Sequence, residues 1–481
     1  MSVGFSLTFG VYVVALLGIG VFFFLRTETT HLVDYMLAGR DVGTWPIAIS
    51  EVASVASGWT FFAWVGVGYT TGLSGLWFSV SMLVIVLFLY RFVAPSFRRE
   101  SEALDSQTIV DHLALVFRES RFGAWIRWVA TLAIVVFMGS YISAQIIAVG
   151  EALDTGLGID YAIAVGVGGV AVAVYTTLGG FNASVWTDFV QGLLVTLAAI
   201  TLPLAAIAEI GGWGAFIAEA RAADPTLLGM TAGEHGVALA LSIGSWLAFA
   251  LGALGQPHGL MRFQAIRSER ILSKASVIAM GFQALRLTVP LLIGIAGRVL
   301  YASAGDPESV AMTMMVDLFP NWFAGLLLAG ITGAILSTSD SMMIVTSADL
   351  TQLYRTQIAP DTDEDTIVGL GRVIVAIMAG VGIGLAYWRP GTIFDIIEFA
   401  FVGLGATLGL PLALHVLWDR TTGAGVFAAV LAGLISAVGN LYLSPDTFPI
   451  LVWPITLAVF LLVCYATSSS PTTTGRPVSA E

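Results

Sequence analysis

Five consecutive positions, Ser337, Thr338, Ser339, Asp340 and Ser341, carry oxygen-bearing side chains inside an apolar stretch spanning about 322–348. Polar groups at bilayer depth are costly unless they pair with one another or serve an ion or solute. Hydroxyls one helical step apart, beside Gly333 and Ala334, combine oxygen ligands with close backbone approach. That combination suits a small hard cation such as Na⁺. The competing reading is that each hydroxyl bonds back to its own helix, a common fate of Ser and Thr in membrane helices.

The elements that must position these residues are membrane helices. The chain has 481 residues, 57% hydrophobic and 11% charged, and its mean hydropathy is +0.90. That balance excludes a soluble globular domain. Apolar runs of membrane-spanning length recur throughout, which predicts an all-α polytopic membrane protein. The first run, about 5–25, has no positive flank before it and no small-residue cleavage site after it, so it reads as a retained helix. The single cysteine, Cys464, excludes an intramolecular disulfide and a cysteine-based metal site. Acidic residues outnumber basic ones 32 to 20, and Lys274 is the sole lysine. A surface of that kind suits concentrated salt, where repulsion is screened, and predicts a halophilic source. No basic stripe offers itself to nucleic acid.

Thirteen apolar segments are expected, at about 5–25, 46–69, 76–94, 124–153, 161–178, 185–210, 237–257, 275–301, 322–348, 367–387, 393–418, 423–443 and 449–467. Short connections make 1–467 one domain; the Ser/Thr/Pro-rich stretch 468–481 reads as a disordered tail. Arginines gather on alternate links: Arg26 and Arg40, then Arg91, Arg98, Arg99, Arg118, Arg121 and Arg127, then Arg262, Arg267 and Arg270, then Arg355, Arg372 and Arg420. The positive-inside rule puts that side in the cytoplasm, with the N-terminus outside and the C-terminus inside a cell membrane. Arg286 falls within the eighth segment, so it must snorkel, pair, or mark a later helix start.

Two segments are expected to break. The second carries a small and polar run from Ser50 to Trp59, and the seventh ends in Gly252-Ala-Leu-Gly-Gln-Pro-His-Gly259. Pro257 cannot donate to a helix ladder, and Gly252 and Gly255 precede it. Freed backbone groups at membrane depth are tolerated where they line a cavity or bind something. The two segments are five apart, which suggests inverted repeats over segments 2–6 (about 46–210) and 7–11 (about 237–418).

Five motifs carry a resemblance. They are Asp34-Tyr-Met-Leu-Ala-Gly-Arg40 with Ser57-Gly-Trp59, the stretch Tyr175-Thr-Thr-Leu-Gly-Gly-Phe-Asn-Ala-Ser-Val-Trp-Thr-Asp-Phe-Val-Gln191, Gly255-Gln-Pro-His with Arg262-Phe263, Ala334-Ile-Leu-Ser-Thr-Ser-Asp340, and Gly403-Leu-Gly-Ala-Thr-Leu-Gly409. In this order the chain resembles the sodium:solute symporter family, and within it the sodium/proline symporter branch. The resemblance implies a thirteen-helix, five-plus-five inverted-repeat fold of the leucine-transporter type. It also implies a sodium site of the Ala53, Ala56 and Ala334 carbonyls with the Ser337 and Thr338 hydroxyls. Asp188 would match a carboxylate that helps Na⁺ pass toward the cytoplasm; the alternative is a cap for the sixth segment. The solute site would draw on Ser57, Trp59, Tyr141, Phe249, Ala253 and Pro257. Two departures stand out. The proline branch usually has Asp where this chain has Val55, and Glu51, four residues earlier, would share its helical face and could supply negative potential. Phe249 and Ala253 stand where the branch has Trp and Tyr, which predicts a wider, less polar pocket.

The expectation is therefore a secondary transporter that imports a small solute, proline or a related amino acid, with Na⁺ as coupling ion, no organic cofactor, and lipid as its surroundings. It should work as a monomer. The alternatives are a monocarboxylate or other organic-acid symporter, a solute sensor with a transporter fold, a passive channel, and H⁺ coupling through Glu51 and Asp188. A sensor would need an output domain, and broken helices argue against an open pore. An enzyme is not expected: His112, His235, His258 and His415 are scattered, and no nucleotide loop or metal-ligand spacing occurs.

Overall fold

The structure, a computed structural model, describes residues 57–266, 269–443 and 449–468 and a few positions between 7 and 18; side chains are described at all of these except 175, 178–190 and 269–271. Ala53, Ala56, Glu51, Val55 and the tail 469–481 lie outside the described residues. Every described element is helical. Among the described residues nine helical runs are long and apolar enough to cross a membrane, and two shorter apolar helices, Tyr161–Val174 and Val452–Thr467, accompany them. Burial is highest where helices meet helices. Lipid-length faces carry exposed Val, Leu and Ile instead, as expected when the solvent is itself apolar.

The core that positions the candidate site uses few elements. A π-helical turn, Trp59–Ala63, leads into α1 (Trp64–Thr71), and α2 (Leu76–Phe88) returns. Then come α3 (Ala94–Leu104) and α4 (Ile109–Val116), the latter capped by the Thr108 hydroxyl, which accepts from Asp111 N. The long α5 (Gly123–Leu157) stops at Gly158, which takes the left-handed conformation. Next, α6 is helical from Tyr161 to Ile210, where two segments are expected with a link near 178–185. A straight helix of 50 residues would extend about 75 Å, far beyond a hydrocarbon core of about 30 Å, so the candidate crossings are its apolar ends, Tyr161–Val174 and Gln191–Ile210. No proline interrupts α6 before Pro203, so helical hydrogen bonding has no obligatory stop at the expected link.

After α7 (Trp213–Ala223) the expected break in the seventh segment is present. Helix α8 (Gly236–Leu251) gives way to a 3-10 turn, Gly252–Gly255, then to extended Gln256, and Pro257 opens α9 (Pro257–Ala265). Proline is favoured at a first helical position, because its missing N–H costs nothing there. Helices α10 (Glu269–Leu300), α11 (Val310–Leu318) and α12 (Asn321–Leu353) follow, with α12 unbroken through the hydroxyl cluster. Then come α13 (Glu364–Trp388), α14 (Ile393–Leu404), a π turn over Gly405–Gly409, α15 (Leu410–Leu417), α16 (Gly423–Leu443) and α17 (Val452–Thr467). The Gly252–Gly255 turn packs against the Gly405–Gly409 turn.

Candidate functional site

The hydroxyl cluster is wholly inside the protein: Ser337, Thr338 and Ser339 are inaccessible, and Asp340 and Ser341 are nearly so. Thr338 Oγ1 donates to Ala334 O at 3.0 Å, and Ser339 Oγ donates to Ile335 O at 2.8 Å. Thr338 and Ser339 thus make the back-bonds that the competing reading foresees. A back-bonded hydroxyl still keeps lone pairs, so Ala334 O and Thr338 Oγ1 present two adjacent oxygens. Ser341 Oγ meets Asp340 Oδ1 at 3.2 Å and receives Arg262 Nη2 at 3.3 Å. The described start of the second segment lies against this stretch. Gly58 N donates to Gln145 Oε1 on α5 at 3.0 Å, and a Cβ at Gly58 would stand 3.6 Å from Ile335 Cγ1. At Gly333 a Cβ would fall 1.8 Å from Tyr12 Oη, so glycine there permits the first helix to press on α12. Asp188 falls within α6 among side chains that are not described.

Two clefts adjoin the broken helix. The first is lined by Trp59, Phe78, Tyr141, Phe249, Arg286 and Phe401, with Met82 and Ile397. The second shares Met82 and Phe401 with it and reaches Ala253, Gln256 and Gln283. Of the six expected solute residues, Trp59, Tyr141 and Phe249 line the first and Ala253 the second. Ser57 and Pro257 line neither. Ser57 is buried behind them, hydrogen-bonded to Tyr141 and accepting from Trp59 N at 3.2 Å. Pro257 acts through the backbone by ending the turn that sets Gln256.

The walls are mostly aromatic. Trp59 stacks on Trp64 at 4.9 Å between centroids, Phe78 lies 4.6 Å from Phe249, and Phe249 meets Phe401 edge-on at 5.5 Å. Arg286 is the charged exception. It is 5% exposed, sits 5.5 Å over the Trp59 ring, and donates from Nε to Gln283 Oε1 at 3.1 Å. It pairs rather than snorkels. Gln256 Nε2 donates to Gly252 O at 2.8 Å and to Phe401 O at 3.2 Å, which leaves its Oε1 without a partner. Trp59 Nε1 is likewise unpartnered. Neither cleft is lined by a carboxylate among the described residues. The sequence reading missed Arg286 as a cleft residue; its position mid-segment was the signal, because a membrane-depth arginine is a functional-site candidate by default. It also missed that His112 and His415 meet at Glu100.

Comparison with known proteins agrees with this arrangement. Residues 35–433 match the model of the Sodium:solute symporter family. The High-affinity proline transporter PutP of Bacillus subtilis (strain 168) is 32% identical over 424 residues, 86% of this chain and 88% of that one. The Osmoregulated proline transporter OpuE of the same organism is 32% identical over 440 residues, covering 90% and 88%. The Sodium/proline symporter of Staphylococcus aureus is 32% identical over 427 residues, covering 86% and 82%. Among solved structures, a Na⁺-coupled sialic acid symporter in a substrate-bound outward-open state superposes with a TM-score of 0.80 at 18% identity over 97% of this chain and 98% of that one. MhsT in complex with L-phenylalanine gives 0.57 at 13% identity over 88% and 98%. These two likenesses concern the fold; the family match and the 32% relatives concern descent, and by them this chain belongs to the sodium:solute symporter family.

Proposed function

We propose that this sodium-coupled symporter imports proline or a closely related small amino acid, and that Arg286 receives the solute carboxylate. The observation that carries the reading is the buried guanidinium in an otherwise aromatic cleft beside a broken helix. A charge-assisted bond to a carboxylate is roughly twice as strong as a neutral one and gains further where water is excluded. Trp59, Phe78, Phe249 and Phe401 would enclose a compact apolar body, and Tyr141 and Ala253 would bound it. Gln256 Oε1, left open by its own bonds, is suited to accept from an ammonium or iminium N–H. Ser57 would hold Tyr141, and Pro257 would hold the break. The names of the 32% relatives support proline as the first solute to try. The absence of a lining carboxylate among the described residues favours a second reading, a monocarboxylate, which needs the guanidinium but no partner for an amine.

For Na⁺ we infer a site of the Ala53, Ala56 and Ala334 carbonyls with the Ser337 and Thr338 hydroxyls, within a thirteen-helix, five-plus-five arrangement. Neutral oxygens can replace a hydration shell and still release the ion. Asp188 and Glu51 would serve its passage or supply potential; unchanged Na⁺ dependence in Glu51→Gln would remove Glu51 from that role. The gradients suffice: one charge crossing ~150 mV contributes roughly 3.5 kcal/mol, and a tenfold Na⁺ gradient adds about 1.4 kcal/mol.

The test is counterflow of labelled proline in proteoliposomes against unlabelled amino acids and monocarboxylates, with and without Na⁺. Proline should exchange only with Na⁺ present. Arg286→Ala should raise the half-saturating proline concentration roughly tenfold to a hundredfold, the worth of a hydrogen bond to a charged group. Exchange by monocarboxylates without proline would favour the second reading, and unchanged proline affinity in Arg286→Ala would remove Arg286 as its anchor.

A further inference from the structure

Three side-chain atoms able to ligate a metal, from three separate helices, converge away from both clefts. They are Glu100 Oε2 on α3, His112 Nε2 on α4 and His415 Nε2 on α15, all within 4.8 Å of one another. Glu100 Oε2 is hydrogen-bonded to His415 Nε2 at 3.1 Å and lies 3.5 Å from His112 Nε2. Ligand atoms around a tetrahedral ion with bonds of about 2.0–2.1 Å stand roughly 3.3 Å apart, so two edges of the triangle already have that length.

The surroundings are those of a prepared ligand set. His112 is fully buried, and its Nε2 faces Glu100 Oε2. Its Nδ1 faces Ser106 Oγ at 3.3 Å and Ser101 Oγ at 3.4 Å. With the ring proton on that side, Nε2 turns its lone pair toward the Glu100 carboxylate, and a cation between them would satisfy both acceptors. Outer partners of this kind fix the tautomer of metal-binding histidines. They are themselves held, because Gln264 Nε2 on α9 donates to Ser101 Oγ at 3.0 Å. Phe97 packs against His112 at 4.8 Å and Phe117 against His415 at 5.4 Å between centroids, which makes the walls apolar. The side chains of His112, His415 and Glu100 are 0%, 8% and 21% exposed, so an ion has a way in past the carboxylate.

We propose that Glu100, His112 and His415 bind a divalent transition-metal ion of the Zn²⁺ class, and that the bound ion ties α15 to the α3–α4 pair and slows the transport cycle. Two imidazoles and a carboxylate with a fourth position open suit Zn²⁺ and Co²⁺ and are too few and too soft for Mg²⁺ or Ca²⁺. The restraint follows from connectivity. Helix α15 continues directly from the Gly405–Gly409 turn, which packs on the broken Gly252–Gly255 turn, and α9 beyond that break carries Gln264. One ion would therefore couple both sides of the break.

The full chain, purified in detergent and stripped with a chelator, is titrated with Co²⁺ and then with Zn²⁺ as competitor. The expected result is the intense visible absorption of four-coordinate Co²⁺ at one equivalent, displaced by Zn²⁺. His415→Gln and Glu100→Gln should each weaken Zn²⁺ at least tenfold, and Ser106→Ala, which removes an outer partner, about tenfold. Absence of the four-coordinate absorption in the wild type, or an unaltered Zn²⁺ affinity in both ligand variants, overturns the site. In proteoliposomes Zn²⁺ should slow solute exchange by the wild type and leave His415→Gln unaffected, and without metal His415→Gln should exchange at the wild-type rate. Exchange by the Zn²⁺-loaded wild type at its full rate overturns the restraint. Both readouts are independent of which solute is carried.

Discussion

Thr338 joins two roles in one hydroxyl. Its hydrogen goes to Ala334 O, and its lone pairs remain for an ion. Thr338→Ala removes one of five proposed Na⁺ ligands. The half-saturating Na⁺ concentration for uptake should rise about tenfold, equivalent to ~1.4 kcal/mol, while Thr338→Ser should restore it. A Na⁺ titration of uptake at fixed pH measures both. The cluster itself was legible in the sequence, because hydroxyls in an apolar run stand out by type and spacing. Which of them bond back was not, since that depends on rotamers within α12. Arg286 shows the same limit: its residue type was visible, and Gln283 lies one turn before it on the same helix, but Trp59 comes from a distant position and only packing brings it beneath the guanidinium.

The break between α8 and α9 is the element on which the proposed solute site depends. Pro257, Gly252 and Gly255 announce it locally, so the sequence locates it to within a residue or two. What the sequence does not contain is the surface the break rests on. A Cβ at Gly255 would lie 2.2 Å from Leu404 O and 2.6 Å from Leu404 C, both backbone atoms that no rotamer change can move. Gly255→Ala must therefore push the turn off α14, at a cost of about 1–3 kcal/mol for overpacking. The yield of monodisperse protein should fall, and Na⁺-dependent exchange should fall further than yield, because the displaced turn also carries Ala253 and Gln256 into the cleft wall. Gel filtration and counterflow on the same preparation separate the two losses.

Across the whole molecule, polar links tie together helices distant in sequence. Arg127 Nη2 meets Asp111 Oδ1 at 2.6 Å, and Thr108 bonds Asp349 on α12. Elsewhere Arg389 Nη2 meets Glu151 Oε1 at 2.6 Å, and Glu308, in the 3-10 turn Pro307–Ser309, accepts from Ile393 N and Phe394 N at 2.9 Å each, capping α14. Burial is the largest influence on Glu308 and pushes its carboxyl up from 4.5 to about 7; the two donated amides pull against it, and nearby Asp306 and Asp395 add to the rise. The folded protein thus binds this proton more tightly than the unfolded chain. Between pH 4.5 and about 7 stability should decline as pH rises, by up to ~1.4 kcal/mol per unit. The contribution is complete below 4.5 and lost above about 7. Thermal unfolding in detergent across this range should show a falling Tm in the wild type and a flatter profile in Glu308→Gln; parallel profiles would contradict it.

The sequence alone determined the membrane class, the break at Pro257 and the buried hydroxyl cluster. Each of these is set by residue type and local spacing, because hydrocarbon penalises polar groups and unpaired backbone wherever they occur in the chain. Tertiary structure decided what distant positions share: Arg286 with Trp59, Glu308 with the start of α14, and Glu100 with His112 and His415, separated by as many as 315 residues. Such meetings arise from helix packing, where small residues set how closely backbones approach, and no local pattern encodes which helix becomes the neighbour.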